Sequence, residues 1–122
     1  MNFIFTGLLA SFLAFISNRY LVSRIGNQAI VYIIPILEES LKTVSCYIFG
    51  ANLILVHLIF GIIEGIFDYF NNKIAALLAV LSHLLFAYIT LTLWNLSNIV
   101  LAILITSLIH IGWNYLIGRL ML

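Results

Sequence analysis

The sequence predicts an all-α protein, a polytopic membrane helix bundle of about five transmembrane helices in a single domain covering residues 1–122. Its 122 residues are 65% hydrophobic and only 7% charged, with a mean hydropathy of +1.24. Soluble domains usually carry charge on about a quarter of their residues. The apolar runs approach the roughly 20 residues that a spanning helix needs, and short asparagine-containing clusters separate them.

Cutting the chain at these polar clusters gives the predicted spans. They cover about residues 2–17, 28–49, 51–70, 74–94 and 98–118, with a loop from Asn18 to Asn27 and turns near residues 50–52, 71–73 and 95–98. The first span lacks the positively charged start and the cleavage site of a signal peptide. We therefore expect it to be retained as a helix.

The basic residues outside the spans fall on one side of the predicted membrane. With five spans, that side carries Arg19, Arg24, Lys73 and Arg119, and the opposite side has no Lys or Arg. Because basic loops stay in the cytoplasm, the N-terminus is predicted outside the cell and the C-terminus inside. We expect an integral protein of a prokaryotic inner membrane, with the lipid bilayer as its surroundings and no nucleic-acid partner.

Two carboxylates and a lysine interrupt the second apolar run. Glu38, Glu39 and Lys42 lie between Ala29 and Phe49, where burying charge is costly and usually serves a function. Lys42 lies three residues after Glu39 and four after Glu38, so it can pair with one of them. The other carboxylate is then left without a partner of opposite charge. The spare carboxylate is a candidate general base, although a purely structural ion pair remains open.

Ionisable residues on four spans share one depth. At 1.5 Å per residue, Glu38 and Glu39 lie about 15 Å from the cytoplasmic end, Glu64 about 9 Å, His83 about 14 Å and His110 about 12 Å. Chance placement would scatter them through the bilayer. We expect these side chains to converge on one chemical task.

The third span carries four further residues of interest. Gly61 and Gly65 form a small-xxx-small pair that lets another helix approach closely. Asp68 lies near the membrane interface, where a solvated role is expected. His57 lies nearer the outer side, and we expect it to make a helix-packing hydrogen bond.

The candidate site contains a carboxylate base, imidazoles and the Asn114 amide, which lies one turn after His110. In a cavity shielded from water, such groups can activate water against an amide bond, and His and Asn N–H groups can stabilise an oxyanion. Several other protease chemistries are excluded. Asp68 is the only aspartate, and the chain has no His-Glu-x-x-His zinc helix and no Gly-x-Ser-x-Gly turn.

Four motifs in order resemble a known family. They are Glu38-Glu39-Ser40-Leu41-Lys42 (EExxK), Phe60-Gly61-Ile62-Ile63-Glu64 (FxxxE), the lone His83, and His110-Ile111-Gly112-Trp113-Asn114 (HxxxN). Together they resemble the PrsW-like branch of the glutamate-type intramembrane proteases, the superfamily that includes the CAAX-processing and bacteriocin-linked (Abi) enzymes. The resemblance covers about residues 30 to 118.

The resemblance implies an intramembrane endopeptidase. Glu38 would be the base with Glu39 supporting it, Glu64 or His83 would orient the water, and His110 with Asn114 would receive the developing negative charge. CAAX enzymes have EExxxR and FxxxH where this chain has EExxK and FxxxE. That departure favours cleavage of a membrane-anchored protein or peptide over prenyl-protein processing.

The short chain leaves a homo-oligomer or a partner subunit open. No cofactor is predicted: glutamates and two histidines could supply a three-ligand zinc site, but the lysine and asparagine fit a metal-free mechanism better. Two other functions remain open. One is a small proton-coupled multidrug exporter with a membrane-embedded glutamate, and the other is a catalytically silent immunity or scaffold protein of the same fold.

Overall fold

The computed structural model describes residues 2–120 and is all-α. Its six helices are α1 (Asn2–Ile25), α2 (Gln28–Tyr32), α3 (Ile34–Phe49), α4 (Leu53–Tyr69), α5 (Lys73–Leu96) and α6 (Ile99–Leu120). Within that range no residue is in a β-strand. The predicted fold class is therefore confirmed in its coarse form, as a helical bundle.

Three helices, α1, α5 and α6, are long enough and apolar enough to cross a membrane. The chain is therefore a membrane protein by this criterion. Helices α3 and α4 have 16 and 17 residues, which corresponds to about 24 and 26 Å. That is slightly less than the hydrocarbon core of about 30 Å.

Two helix boundaries differ from the prediction. Helix α1 continues through the expected loop to Ile25, because Asn and Arg are polar but do not break a helix, and it ends only before Gly26, which has φ 82°. The second predicted span is divided at Ile33 into α2 and α3. Pro35 has no N–H to continue the helical hydrogen bonds at this point.

The predicted turns contain the caps that set the other boundaries. The Asn72 side chain accepts hydrogen bonds from the N–H groups of Ile74 (2.8 Å) and Ala75 (3.3 Å) at the start of α5. Asn52 caps α4 and Asn98 caps α6 in the same way. Gly50, with φ 61°, ends α3 in the left-handed conformation that glycine adopts without strain.

Aromatic contacts fix the relative directions of the helices. Phe15 stacks on Phe67 at 5.9 Å between ring centroids, so α1 and α4 run in the same direction, and Phe5 contacts Phe49 at 5.6 Å, so α3 runs against α1. The ends of α1, α4 and α6 and the starts of α2 and α5 therefore lie together. We call this the basic end, because it carries Arg19, Arg24, Lys73 and Arg119.

Helices α4 and α5 form the most extensive helix contact, and two glycines make their close approach feasible. A Cβ on Gly61 would lie 2.9 Å from the Cβ of His83, and one on Gly65 would lie 2.9 Å from the carbonyl oxygen of Ala76. The small-xxx-small pair therefore faces α5, and it brings α4 against His83.

About half of the buried residues are polar or charged, whereas large apolar side chains such as Phe12, Phe67 and Leu108 lie on the outside. The buried polar and charged residues include Glu38, Glu39, Lys42, Thr43, His57, His83, Thr90, Thr106, Ser107 and His110. An arrangement with apolar groups outward and ionisable groups inward suits a lipid surrounding.

Candidate functional site

The centre of the site is a fully buried ion pair on α3. The Nζ of Lys42 donates a hydrogen bond to Oε1 of Glu39 at 2.6 Å, and neither side chain is exposed. The same Oε1 accepts a hydrogen bond from Nδ1 of His110 at 2.9 Å. One glutamate oxygen thus joins α3 to α6.

Lys42 also contacts His83 on α5, with 3.0 Å between Nζ and Nδ1. An ammonium group has only donors, so Nδ1 of His83 is the acceptor, and the ring proton of a neutral His83 is on Nε2. That nitrogen donates to Oε2 of Glu64 on α4. Lysine therefore sets both the orientation and the tautomer of His83.

These contacts join four helices through one chain of side chains, which we call the polar network. Its members are Glu64, His83, Lys42, Glu39 and His110. The side chain of Glu64 is 42% exposed, while the side chains of Lys42, Glu39, His83 and His110 are at most 4% exposed. The network therefore meets its surroundings at Glu64.

Glu38 lies beside the polar network without a direct bond to it. Its Oε1 accepts a hydrogen bond from Nδ2 of Asn18 at 2.8 Å, and its Oε2 lies 4.0 Å from Nε2 of His110. Because His110 donates from Nδ1, its Nε2 is an acceptor in the neutral ring. Two acceptors at this separation can share one water molecule that donates a hydrogen bond of about 2.8 Å to each.

Asn114 and His110 share a helix face, but they bond to different partners. The Nδ2 of Asn114 donates one hydrogen bond to the backbone oxygen of Ile30 at 3.2 Å. The second N–H of that amide is left for another partner.

A cavity of about 650 Å³ reaches this group of side chains. Its polar lining comprises Glu38, Glu64, Asn114, Asn18, Arg19 and Ser23, and its apolar lining comprises Phe15, Val22, Ile30 and Ile34. A pocket of about 80 Å³ adjoins it through the shared Glu64 and Asn114 and reaches His83 and His110. The cavity lies toward the basic end.

The structure thus brings together most of the residues predicted for the site. Glu39, Glu64, His83 and His110 share the polar network with the supporting Lys42, and Glu38 and Asn114 line the adjoining cavity. Asn18 was missed because its segment was expected to be a loop. Asn18 could have been found from helical spacing, because it lies on the same face of α1 as the buried Ser11 and Ala14.

His57 lies beside the backbone of His83 on α5, but the packing hydrogen bond expected for it does not reach normal hydrogen-bond geometry. It is fully buried, and neither ring nitrogen has a hydrogen-bond partner among residues 2–120. Its Nε2 lies 4.0 Å from Oε2 of Glu39, which is also without a partner in this part of the chain. One potential ligand atom from each of Glu39, His57 and His83 lies within 4.8 Å of the others, so these three are the residues that could hold a metal ion.

Comparison of the chain with protein-family models, curated proteins and solved structures gave no match. The fold and the site therefore define a class only. The chain is an α-helical membrane bundle whose buried ionisable network opens into a cavity through a carboxylate.

Proposed function

We propose that this chain is a glutamate-type intramembrane endopeptidase, which hydrolyses a peptide bond of a membrane-associated protein with glutamate-activated water. One observation carries the proposal. Glu38 and Glu64 line the same cavity, and His110 and His83, the imidazoles nearest to them, are joined by Lys42 and Glu39. Carboxylates placed beside oriented imidazoles, away from bulk water, are the groups that general acid–base hydrolysis uses.

Glu38 is the base in this proposal. A water molecule held between Oε2 of Glu38 and Nε2 of His110 gives one proton to Glu38 while its oxygen bonds to the carbonyl carbon of the substrate. When the C–N bond breaks, Glu38 returns that proton to the leaving nitrogen. The water is consumed, an acid and an amine are formed, and the side chains recover their starting state.

The free N–H of Asn114 is the donor for the oxyanion. The resemblance implies this role for His110 as well, but a neutral His110 that donates from Nδ1 to Glu39 accepts at Nε2. We therefore assign His110 to holding the water. Glu39 and Lys42 keep the ring in this tautomer, as the buried aspartate of a Ser-His-Asp triad does for its histidine.

The remaining elements of the proposal concern the membrane. Five spans in a prokaryotic inner membrane, with the basic end in the cytoplasm by the positive-inside rule, would open the cavity toward the cytoplasmic leaflet. The substrate would be a membrane-anchored protein or peptide cut near that surface. A second copy of the chain or a partner subunit could complete the walls of the cavity.

The geometry supports a multidrug exporter less well. An exporter must open its binding site alternately to both sides of the membrane, whereas Glu38 and Glu64 meet one cavity near the basic end. Beyond the network, α5 and α6 are joined by the hydrogen bond between Thr90 and Thr106 (3.0 Å). An apolar cluster of Cys46, Leu53, Val56 and Ala87 lies in the same half of the bundle.

Cleavage of a reporter library tests the proposal. The wild-type chain is co-expressed with single-span membrane reporters whose residues next to the membrane vary, and released fragments are detected and sequenced. We expect cleavage by the wild type and by the S40A variant, a control on α3 whose hydroxyl bonds only to the backbone oxygen of Ile36. The E38Q and H110A variants should lose cleavage while remaining folded.

Three results would overturn the proposal. The first is cleavage by E38Q and H110A at the rate of the wild type. The second is an intact library together with proton-driven uptake of a lipophilic cation into proteoliposomes, which would establish the exporter. The third is an intact library without uptake, which would favour the silent immunity or scaffold protein.

A further inference from the structure

Two buried side chains, Glu39 of the polar network and the neighbouring His57, carry polar atoms without partners among the described residues. Oε2 of Glu39 and both ring nitrogens of His57 make no hydrogen bond to any residue between 2 and 120, and both side chains are fully buried. Buried polar atoms in folded proteins nearly always have a partner, and an exception calls for an unseen water or ion. These atoms face each other at 4.0 Å between Oε2 and Nε2.

The charge of the site favours a cation as the missing partner. Glu38, Glu39 and Glu64 can carry three negative charges, and Lys42 supplies one positive charge. With neutral imidazoles, two negative charges are in excess in surroundings of low dielectric constant, where uncompensated charge is expensive. One divalent cation would balance them.

The residue types are those that a borderline divalent metal prefers. Glu39, His57 and His83 offer one carboxylate and two imidazoles, which is a three-ligand set of the kind that binds Zn²⁺ with an open fourth position. Ligands at about 2.1 Å in a tetrahedral site lie about 3.4 Å apart. Oε2 of Glu39 and Nε2 of His57, now 4.0 Å apart, would need to approach each other by only a small side-chain movement.

A metal ion in this site would compete with Lys42 for His83. The ammonium of Lys42 lies 3.0 Å from Nδ1 of His83, so a metal ion that takes this nitrogen must displace the lysine. Nδ1 is the ring nitrogen on the Glu39 side, because Lys42 bridges it to Oε1 of Glu39, whereas Nε2 faces Glu64. Metal binding and the Lys42–His83 contact therefore exclude each other.

We propose that Glu39, His57 and His83 form a binding site for a divalent transition-metal ion of the Zn²⁺ type, and that the bound ion interrupts the polar network by displacing Lys42 from His83. The binding site is independent of the proposed peptidase function, and only its inhibitory effect rests on it. His57 is the residue that distinguishes the metal site from the hydrolytic site, because it does not line the cavity and makes no hydrogen bond to the polar network.

Titration with Co²⁺, whose visible absorption reports tetrahedral coordination by nitrogen and oxygen, tests the site in the purified full-length chain in detergent. We expect one ion per chain, displaced by Zn²⁺. Outer partners of metal ligands are worth 10–100-fold in affinity, so loss of a direct ligand in H57Q should weaken binding by about 100-fold or more. The K42M variant, which removes the competing ammonium, should bind Co²⁺ more tightly than the wild type.

Matched controls separate loss of the site from loss of the fold. The S107A variant removes another buried polar group without a partner in the described chain, and it should bind Co²⁺ like the wild type. H57N serves as a second replacement if H57Q does not fold, as judged by circular dichroism and gel filtration. Absence of saturable Co²⁺ absorption, or equal affinity in folded H57Q or H57N, would overturn the metal site.

The inhibitory effect has a separate readout. In the reporter assay, Zn²⁺ should stop cleavage by the wild type, a chelator should restore it, and H57Q should cleave normally with or without Zn²⁺. Zn²⁺-resistant cleavage by a wild type that binds Co²⁺ would refute the inhibition and leave the site. Because Co²⁺ binding requires no substrate, failure of the peptidase proposal would not affect its outcome.

Discussion

The G61A substitution tests the packing that places His83 in the site. The added methyl would lie 2.9 Å from Cβ of His83 and 3.2 Å from the backbone Cα of Val80. A flexible side chain could turn away from such a contact, but Cβ and Cα atoms move only with their helix. We therefore expect α4 and α5 to move apart.

The size of the effect follows from two opposing contributions. Alanine is better than glycine in a helix by about 1 kcal/mol. Overpacking costs about 1–3 kcal/mol, and the backbone contact places G61A at the upper end of that range. The net loss of stability should be about 2 kcal/mol.

The matched control is G112A, since a Cβ on Gly112 would meet nothing within 4 Å. It should be as stable as the wild type or more stable by up to about 1 kcal/mol. Unfolding of both variants in mixed micelles, followed by tryptophan fluorescence, measures the difference.

In the reporter assay, displacement of His83 by about 1 Å should reduce cleavage by about 100-fold. Equal stability of G61A and G112A would refute the close helix contact.

Three further predictions use the same assays. K42M should lower the free energy of unfolding by about 3–5 kcal/mol, because it leaves the buried Glu39 carboxylate without its ion-pair partner. The double variant E39Q/K42M should recover at least half of that loss. A double variant no more stable than K42M would contradict the pairing. N18L removes the 2.8 Å hydrogen bond to Glu38. Such a bond is worth about 1.5–3 kcal/mol for a charged acceptor, so cleavage should fall by about tenfold or more. Normal cleavage would exclude Asn18 from the site. N72A should cost about 1 kcal/mol of stability through the lost α5 cap, and an unchanged unfolding midpoint would show that the cap contributes nothing.

The helices could be predicted from the sequence because helices that face lipid are long apolar segments. The turns were also accessible, since Asn52, Asn72 and Asn98 are good N-cap residues and occupy that position in the structure. Polarity was misleading in α1. The residues after Asn18 were expected to be a loop because they are hydrophilic, but a helix that leaves the membrane can continue until a residue such as Gly26 ends it.

The common depth of the ionisable residues indicated which side chains could meet, but it could not give their partners. Depth fixes the height of a residue along the bundle axis, whereas partners depend on the rotation of each helix. The rotation of α4 is visible in one pattern: His57, Gly61 and Gly65 follow each other at four-residue intervals and therefore share one face. That face packs on α5, which explains why His57 is buried beside the network and not at its edge.

A single lysine makes the two network histidines chemically different. Lys42 donates to Oε1 of Glu39 and to Nδ1 of His83. Because Glu39 in turn accepts from Nδ1 of His110, a neutral His110 presents an acceptor at Nε2, while a neutral His83 presents a donor there. The acceptor faces Glu38, where the water of the proposed mechanism would lose a proton, and the donor faces Glu64. Two imidazoles in equal surroundings would share one tautomer preference, so the Lys42 ammonium between them leaves a hydrogen-bond acceptor on the Glu38 side and a donor on the Glu64 side.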